Sequence, residues 1–363
     1  MISELTAGFT ALVAWVALHR IILLLITCAG LGAAGAWLIA GIPFREHLLD
    51  SPNGRSSHTK PTPRGGGVGI LAAFIAAGLT LRIPTTFLFA AVFVSAVSLY
   101  GDYFRLSVKF RFFAQLLAAL VFLFPILPAL STHYAAFTFG FSPFFFPLVL
   151  LLIVVFMIGT ANFYNFMDGI NGIGGLSGVI AFGLLGAYTL YYAPLYGYRE
   201  KMSLLSICIA LACLGFLPFN MPRARVFMGD VGSILLGFVF AALVVMLARN
   251  YLEMICFAEL LFPFYADELT TMAVRLRDRE NLVQSHRRHL YQLLVNEAGM
   301  AHGKVTWIYG ATQLAVGAGV LFFNAYGACP VMLFLTVCFI AFALVSLLIR
   351  GQIKKTQSSL WRC

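Results

Sequence analysis

Residues 144–175 read FFFPLVLLLIVVFMIGTANFYNFMDGINGIGG. No charged side chain interrupts the stretch from Phe144 to Phe163, and its length is close to the ~20 apolar residues a helix needs to cross a bilayer's hydrocarbon core. Then the sequence changes character. Asn162, Asn165 and Asp168 follow at i, i+3 and i+6, and Gly169, Gly172, Gly174 and Gly175 lead into the next apolar run. A helix continued to Asp168 puts the three polar groups on one face at the membrane surface. Polar side chains there are costly without partners and point to function, with helix-packing glue as the plainer alternative.

The pattern of an apolar span ending in polar residues recurs along the chain. Of 363 residues, 61% are hydrophobic and 10% charged, against about 25% charged in a soluble domain. No soluble fold of this length has interior enough for that much apolar surface, so lipid is the expected solvent. The spacing predicts about eleven spans: 21–42, 67–81, 86–101, 111–130, 144–163, 171–191, 201–219, 232–249, 256–273, 305–325 and 330–350. Residues 1–20 read as a leading amphipathic or partly inserted segment. MISELTAGF lacks the basic n-region of a signal peptide, so the first apolar stretch is expected to be retained. The expected fold class is an all-α, polytopic transmembrane helical bundle. It forms one integral membrane domain over residues 1–363, with polar loops near 43–66, 101–111, 160–175, 219–233 and 271–304.

Nineteen of the twenty-four Lys and Arg residues fall in one set of alternate loops and the tail. Loops rich in Lys and Arg stay in the cytoplasm, which puts the N-terminus in the periplasm and the C-terminus in the cytoplasm. Asp50, Asp102, Asp168, Asp230, His58, His286 and His289 all fall on that inner side, whereas the opposite loop 131–145 is mostly apolar and aromatic. The net charge of +10 therefore speaks for membrane orientation and anionic phosphates, not for nucleic acid. Seven cysteines show no CxxC pair and read as buried hydrophobes.

Five inner loops carry chemistry. The first, from Asp50 to Gly67, holds Arg55, His58, Lys60 and Arg64 ahead of three glycines. Glycine amides at a helix start can come close to an anion, and the cations add to the grip; a proline- and glycine-bent turn with headgroup-anchoring arginines is the alternative. The second places Asp102 before Arg105, Lys109 and Arg111. The third is the Asn162–Asn165–Asp168 face with Gly169 and Asn171, suited to a nucleotide or metal-bound phosphate. The fourth runs from Asn220 through Phe227 to Gly229-Asp230-Val-Gly232-Ser233. Asp230 is there a plausible hard-cation ligand, since Mg²⁺ takes one or two carboxylates and completes its shell with water and phosphate; a helix N-cap is the alternative. Phe227 suits stacking on a base, or interfacial anchoring. The fifth contains Asp267-Glu268 and Ser285-His286-Arg287-Arg288-His289. Arg binds phosphate oxygens bidentately and neutral His donates a hydrogen bond, which suits a diphosphate. Two His among arginines, without a third ligand, do not suit zinc.

Taken together, the NxxNxxDGxxG and FMGDxGS motifs and the order of all five loops resemble the polyprenyl-phosphate N-acetylhexosamine-1-phosphate transferase family over residues 50–292. The HRRHLYQ form is most similar to the branch that starts O-antigen units. The resemblance implies transfer of a sugar 1-phosphate from a UDP-N-acetyl sugar to polyprenyl phosphate with Mg²⁺, or Mn²⁺, in a bacterial inner membrane. It implies Asp230 as the metal ligand, with Asp102 a second candidate. It places Asn220 in the nucleotide site, Phe227 on uracil, Asn165, Asp168 and Gly169 in the nucleotide loop, and His286 and His289 beside the pyrophosphate. Asn171 stands where many relatives carry Asp. Gly101 replaces the first of an adjacent Asp pair usual in the family, which removes a nucleophilic or basic carboxylate but leaves direct transfer open, because a phosphate monoester is largely dianionic at neutral pH. The working set is thus Asp102, Asp168, Asp230, His286 and His289 for catalysis, with Arg55, His58, Lys60, Arg64, Lys109, Asn162, Asn165, Gly169, Asn171, Asn220, Phe227, Arg287 and Arg288 for substrate. A homodimer is left open. The rival class, a transporter or flippase of an anionic phosphorylated solute, should carry ionisable groups near the bilayer midplane. Here the carboxylates gather at one surface, which favours the enzyme.

Overall fold

The computed structural model describes residues 2–41, 49–52, 57–58, 60–104, 106–132, 146–192, 197–281, 284 and 286–360. Among them, nine helices are long and apolar enough to cross a membrane: Leu18–Gly41, Thr85–Phe104, Val108–Ile126, Phe146–Met167, Ile173–Tyr191, Tyr198–Asn220, Asp230–Leu247, His302–Asn324 and Ala328–Lys355. The chain is a multi-pass, all-α membrane protein. The sole paired strands among these residues are a two-residue ladder, Leu49–Asp50 against Thr62–Pro63.

Two of the eleven expected spans take other forms. Residues 67–81 become the helix Val68–Leu81, whose 14 residues rise only about 21 Å. The expected span 256–273 is broken into Tyr251–Ala258, a 3₁₀ turn Glu259–Leu261 and Phe262–Arg277. Pro263 sits at the start of the last piece, where its missing N–H is harmless, but it cannot continue the preceding helix. Both segments still carry the chain from one end of the bundle to the other. Asp102, one helix beyond Val68–Leu81, comes back within 3.7 Å of Arg64. Arg199, at the opposite end, donates to the Leu247 carbonyl at 2.7 Å. Residues 2–20, expected as part of a leading amphipathic or partly inserted segment, belong to one helix, Ile2–Gly41.

Burial ranks the helices. Asp230–Leu247 is 89% buried, whereas the last span is 11% buried. The former, DVGSILLGFVFAALVVML, is apolar on every face and so belongs in the interior. It packs against Phe146–Met167 and Thr85–Phe104. Asp230 is the first residue of this innermost helix, so the core helix begins with a carboxylate pointed out of the apolar interior.

Candidate active site

Four helix ends converge around Asp230. Its Oδ2 accepts Arg111 Nη1 at 2.7 Å and its Oδ1 accepts Asn165 Nδ2 at 2.8 Å. Asn165 also donates to Ser233 Oγ at 2.8 Å. Asp102, in the last turn of Thr85–Phe104, accepts the Asp230 backbone N–H through Oδ2 at 3.0 Å. Gly229, not Asp230, is the N-cap residue of the core helix, and the Asp230 carboxylate is bonded to Arg111 and Asn165 side chains instead. Its carboxylate is therefore available to face cations.

The first loop reaches this cluster by backbone pairing. The Leu49–Asp50 and Thr62–Pro63 ladder folds the loop on itself, so that Asp50 Oδ2 lies 2.6 Å from Arg64 Nη2. The three glycines do not offer their amides to a ligand, contrary to the sequence expectation. Gly65 and Gly66 donate to the Phe227 carbonyl at 3.1 and 2.9 Å, and Gly67 donates to Met228 at 2.9 Å. They serve close backbone crossing instead: a Cβ on Gly67 would lie 2.4 Å from Gly232 Cα. Only glycine at both positions lets the loop cross the start of the core helix at that distance.

A cavity of about 250 Å³ opens among these groups. Asp50, His58, Arg64, Asn165, Asp168 and Asp230 line it, with Gly169, Asn171, Asn220 and Phe227. Ser233, Gln292 and His302 also line it. His58 Nε2 lies 3.2 Å from the Asp50 carbonyl, and its ring meets Phe227 edge-on at 4.9 Å. Burial pushes the Asp168 carboxyl up to about 8, with the Gly174 amide pulling down and the Asp230 charge pushing up. At neutral pH Asp168 is therefore mostly protonated.

Other expected residues stand elsewhere. Asn162 faces Gln115, donating to its Oε1 at 2.7 Å and to the Ile158 carbonyl at 2.8 Å; this is helix packing. Asn220 lines the cavity floor but is spent on the backbone, accepting from Gly172 N at 2.6 Å and donating to the Val226 carbonyl at 2.9 Å. Lys109 is exposed and Lys60 lines a different cavity with Arg225. Lys109 and Arg111 are two positions apart on a helix, which sends them to different sides; the structure uses Arg111. Arg55 lies outside the described residues. Arg288 pairs with Asp278 at 2.7 Å and with Glu280, and Arg287 with Glu297 at 3.2 Å. The rings of His286 and His289 lie 4.8 Å apart and tilted beside these pairs, and neither lines the cavity. Burial lowers His286 to about 4, the charges of His289 and Arg275 adding to it, and burial lowers His289 as well. His286 is therefore neutral at physiological pH.

The sequence names Arg111, Asp50 and Gln292 within their loops without marking them for the site, and gives no sign of His302. Arg111 was recoverable from charge complementarity to Asp230. Asp50 was not, because its approach to Arg64 depends on a two-residue ladder with no strand signal. Behind the cavity, Tyr291 Oη donates to the Phe166 carbonyl at 2.9 Å. Asp267 accepts the backbone N–H groups of Leu290 and Tyr291 at 2.8 and 3.2 Å, the Thr271 hydroxyl at 3.1 Å and the Tyr309 hydroxyl at 2.7 Å.

Residues 84–248 match the model of the family described as Glycosyl transferase family 4. The chain is 29% identical over 208 residues to a probable undecaprenyl-phosphate N-acetylglucosaminyl 1-phosphate transferase of Bacillus subtilis (55% of this chain, 56% of that one). It is 36% identical over 176 residues to a phospho-N-acetylmuramoyl-pentapeptide-transferase of Symbiobacterium thermophilum (48% of each). It thus spans about half the length of these two relatives. A decaprenyl-phosphate N-acetylglucosaminephosphotransferase of Mycobacterium leprae is 26% identical over 363 residues, 88% of each chain.

Proposed function

We propose that the chain is a member of glycosyl transferase family 4 and that it transfers a sugar 1-phosphate from a UDP-sugar to a polyprenyl phosphate. The donor sugar is an N-acetylhexosamine or its 6-deoxy form, UMP is released, and the product starts a cell-envelope glycan of the O-antigen kind. The observation that carries the reading is the junction of Asp102 and Asp230 through one backbone N–H, with Arg111, Arg64 and Asn165 converging on it at the mouth of a polar cavity. A scaffold has no need to gather two acids and two arginines where four apolar helices end.

The proposed chemistry follows from that arrangement. An oxygen of the acceptor phosphate attacks the donor's β-phosphorus, a new P–O–P bridge forms, the old bridge breaks, and UMP leaves with the electron pair. The acceptor is already largely dianionic at neutral pH, so orientation and charge matter more than a base. Arg64, which lines the cavity, and Arg111, bonded to Asp230, supply positive charge, and Asn165 fixes the Asp230 carboxylate. Asp168, mostly protonated, donates a hydrogen bond to a phosphate oxygen. Phe227 and His58 form a ring wall on which a base can lie. Gln292 and His302 take the diphosphate contacts that the sequence assigned to His286 and His289. Mg²⁺, or Mn²⁺, fits the hard oxygen donors of Asp230 and Asp102, which supply the one or two carboxylates such an ion takes from protein. When bound, it would neutralise the diphosphate's charge. The Lys and Arg asymmetry supports an inner-membrane protein whose site opens to the cytoplasm.

The test is to incubate purified protein with Mg²⁺, polyprenyl phosphate and a panel of UDP-sugars, then measure UMP and lipid-linked sugar phosphate. Release of UMP that requires both the lipid phosphate and one donor is the expected result. Absence of UMP with every donor, in protein that still melts cooperatively, would sink the proposal.

A further inference from the structure

The carboxylate cavity leaves a second basic region unused. Between Phe262–Arg277, the short helix Leu290–Asn296 and the end of Ala328–Leu360 lies a cavity of about 540 Å³. Its charged wall is Arg277, Arg287, Arg288, Arg350 and Lys354, with Glu297 the one acid lining it. Ion pairs use part of that charge: Arg287 meets Glu297, Arg288 meets Asp278 and Glu280, and Arg277 comes within 3.6 Å of Asp278. Five cations facing three acids leave a surplus of two positive charges.

Arg350 is the member that points to a ligand. It is 8% exposed. Its guanidinium donates to Ser346 Oγ at 3.1 Å, the Arg288 carbonyl at 2.7 Å and Thr271 Oγ1 at 2.9 Å. All three acceptors are neutral, and among the described residues no carboxylate lies within ion-pair distance of it. Its counter-charge inside the protein is Asp267, one hydroxyl away through Thr271; on the cavity side the guanidinium faces no acid, and an anion there would complete its pairing.

Its depth in the membrane narrows the choice of anion. Arg350 and Lys354 ride at the end of the span Ala328–Lys355. Just before them the same helix exposes Leu344, Val345, Leu347 and Leu348, at 55%, 51%, 43% and 67%. Leu347 also lines the cavity. A lipid-facing apolar surface therefore runs directly into a cationic recess at headgroup level, where anionic lipids are attracted to Lys and Arg.

We infer that this cavity binds the phosphate of an anionic membrane phospholipid, with its headgroup against Arg350 and Lys354 and its chains along the Leu347 surface. The inference stands apart from the transferase reading. It has a consequence for the neighbouring cavity, because the helix Leu290–Asn296 lies between the two. Leu293 faces the basic cavity and Gln292 the carboxylate cavity. Arg350 also reaches that helix through Thr271 and Asp267, which caps its first amides. A bound headgroup thus braces the element that carries Gln292.

The full chain, delipidated in detergent, would be titrated with phosphatidylglycerol, phosphatidylcholine, polyprenyl phosphate and inorganic phosphate, with native mass spectrometry reading the bound fraction. Phosphatidylglycerol is expected to bind at least about tenfold more tightly than phosphatidylcholine. The exposed pair Arg277→Gln and Lys354→Gln should weaken it about thirtyfold, roughly 2 kcal/mol at ~1 kcal/mol per cation, with the melting temperature unchanged. Equal binding by wild type and the double variant would overturn the inference. So would retention of polyprenyl phosphate alone, or of inorganic phosphate without any lipid preference.

Discussion

A methyl group at Gly169 tests how the cavity wall is held. A Cβ there would lie 2.1 Å from Tyr291 Oη, then 3.0 Å from Cζ and 3.1 Å from Cε2. The Tyr291 ring is fully buried and its hydroxyl is bonded to the Phe166 carbonyl, so it has no free direction of retreat. Gly169→Ala should lose that hydrogen bond, about 1 kcal/mol, and add overpacking of about 1–3 kcal/mol. Tyr291→Phe removes the hydroxyl alone and should cost about 1–2 kcal/mol, because the Phe166 carbonyl is left unpaired. In the double variant the worst contact is gone, and ring carbons at 3.0–3.1 Å can yield by a few tenths of an ångström. The double variant should therefore be more stable than the sum of the singles by at least about 1 kcal/mol. Thermal melting of all four proteins in one detergent measures this, with UMP release followed in parallel because Gly169 and Gln292 both line the cavity. Additive losses would refute the claim that Tyr291 sets the position of the 166–169 turn.

Four shorter predictions follow from the same geometry. Arg111→Gln should lower kcat/KM about a hundredfold, ~2.7 kcal/mol, whereas Lys109→Gln should stay within about twofold; equal losses would contradict the different placement of the two side chains. Asp267→Asn should lower stability by about 3 kcal/mol, since four donors converge on one buried carboxylate, and hydrogen exchange at the Leu290 and Tyr291 amides should accelerate. Asp168, at about 8 in the folded chain against ~4 when unfolded, favours folding at low pH and loses that contribution progressively as pH rises from ~4 to about 8. The melting temperature of wild type relative to Asp168→Asn should thus fall between pH 5 and 9, and a flat difference would mean the carboxyl is not buried. Gly101→Asp should fold normally, as the nearest atoms to a Cβ there, Leu106 Cδ1 at 3.6 Å, Arg111 Cδ at 3.7 Å and Leu106 Cβ at 3.8 Å, are at ordinary van der Waals distance; activity in that variant alone, with none in wild type, would show the natural chain to be catalytically silent.

The membrane fold was legible because hydropathy is a one-dimensional signal: each long apolar run became a helix. It failed where length and continuity mattered, at the short Val68–Leu81 and at the Pro263 break. The site was legible where a residue's own chemistry determines its use. Asp102, Asp168, Asp230 and Asn165 did meet. Rotational position was not legible. Asn162 and Asn165 are three residues apart, yet one faces Gln115 and the other Asp230. Nor does a triple glycine declare whether its amides serve a ligand or a crossing backbone; Gly232, 165 positions beyond Gly67, decides it for the crossing.

Position 101 ties these threads together. A Cβ there would make ordinary van der Waals contacts, so glycine is not required by packing. What an acid would disturb is charge pairing. Arg64 is taken first by Asp50 at 2.6 Å and only distantly by Asp102 at 3.7 Å, while Arg111 is committed to Asp230 at 2.7 Å. A carboxylate at 101 would stand beside the Arg111 side chain and compete for its guanidinium. Asp230 would then lose part of its cationic partner and face a new like charge across a short distance, which in a partly desolvated site costs more than in water. With glycine, Arg111 stays with Asp230, and the cavity holds no further negative charge to repel a dianionic acceptor. The missing acid is thus better understood as charge balance in a site that positions a phosphate than as the loss of a base that such an acceptor does not need.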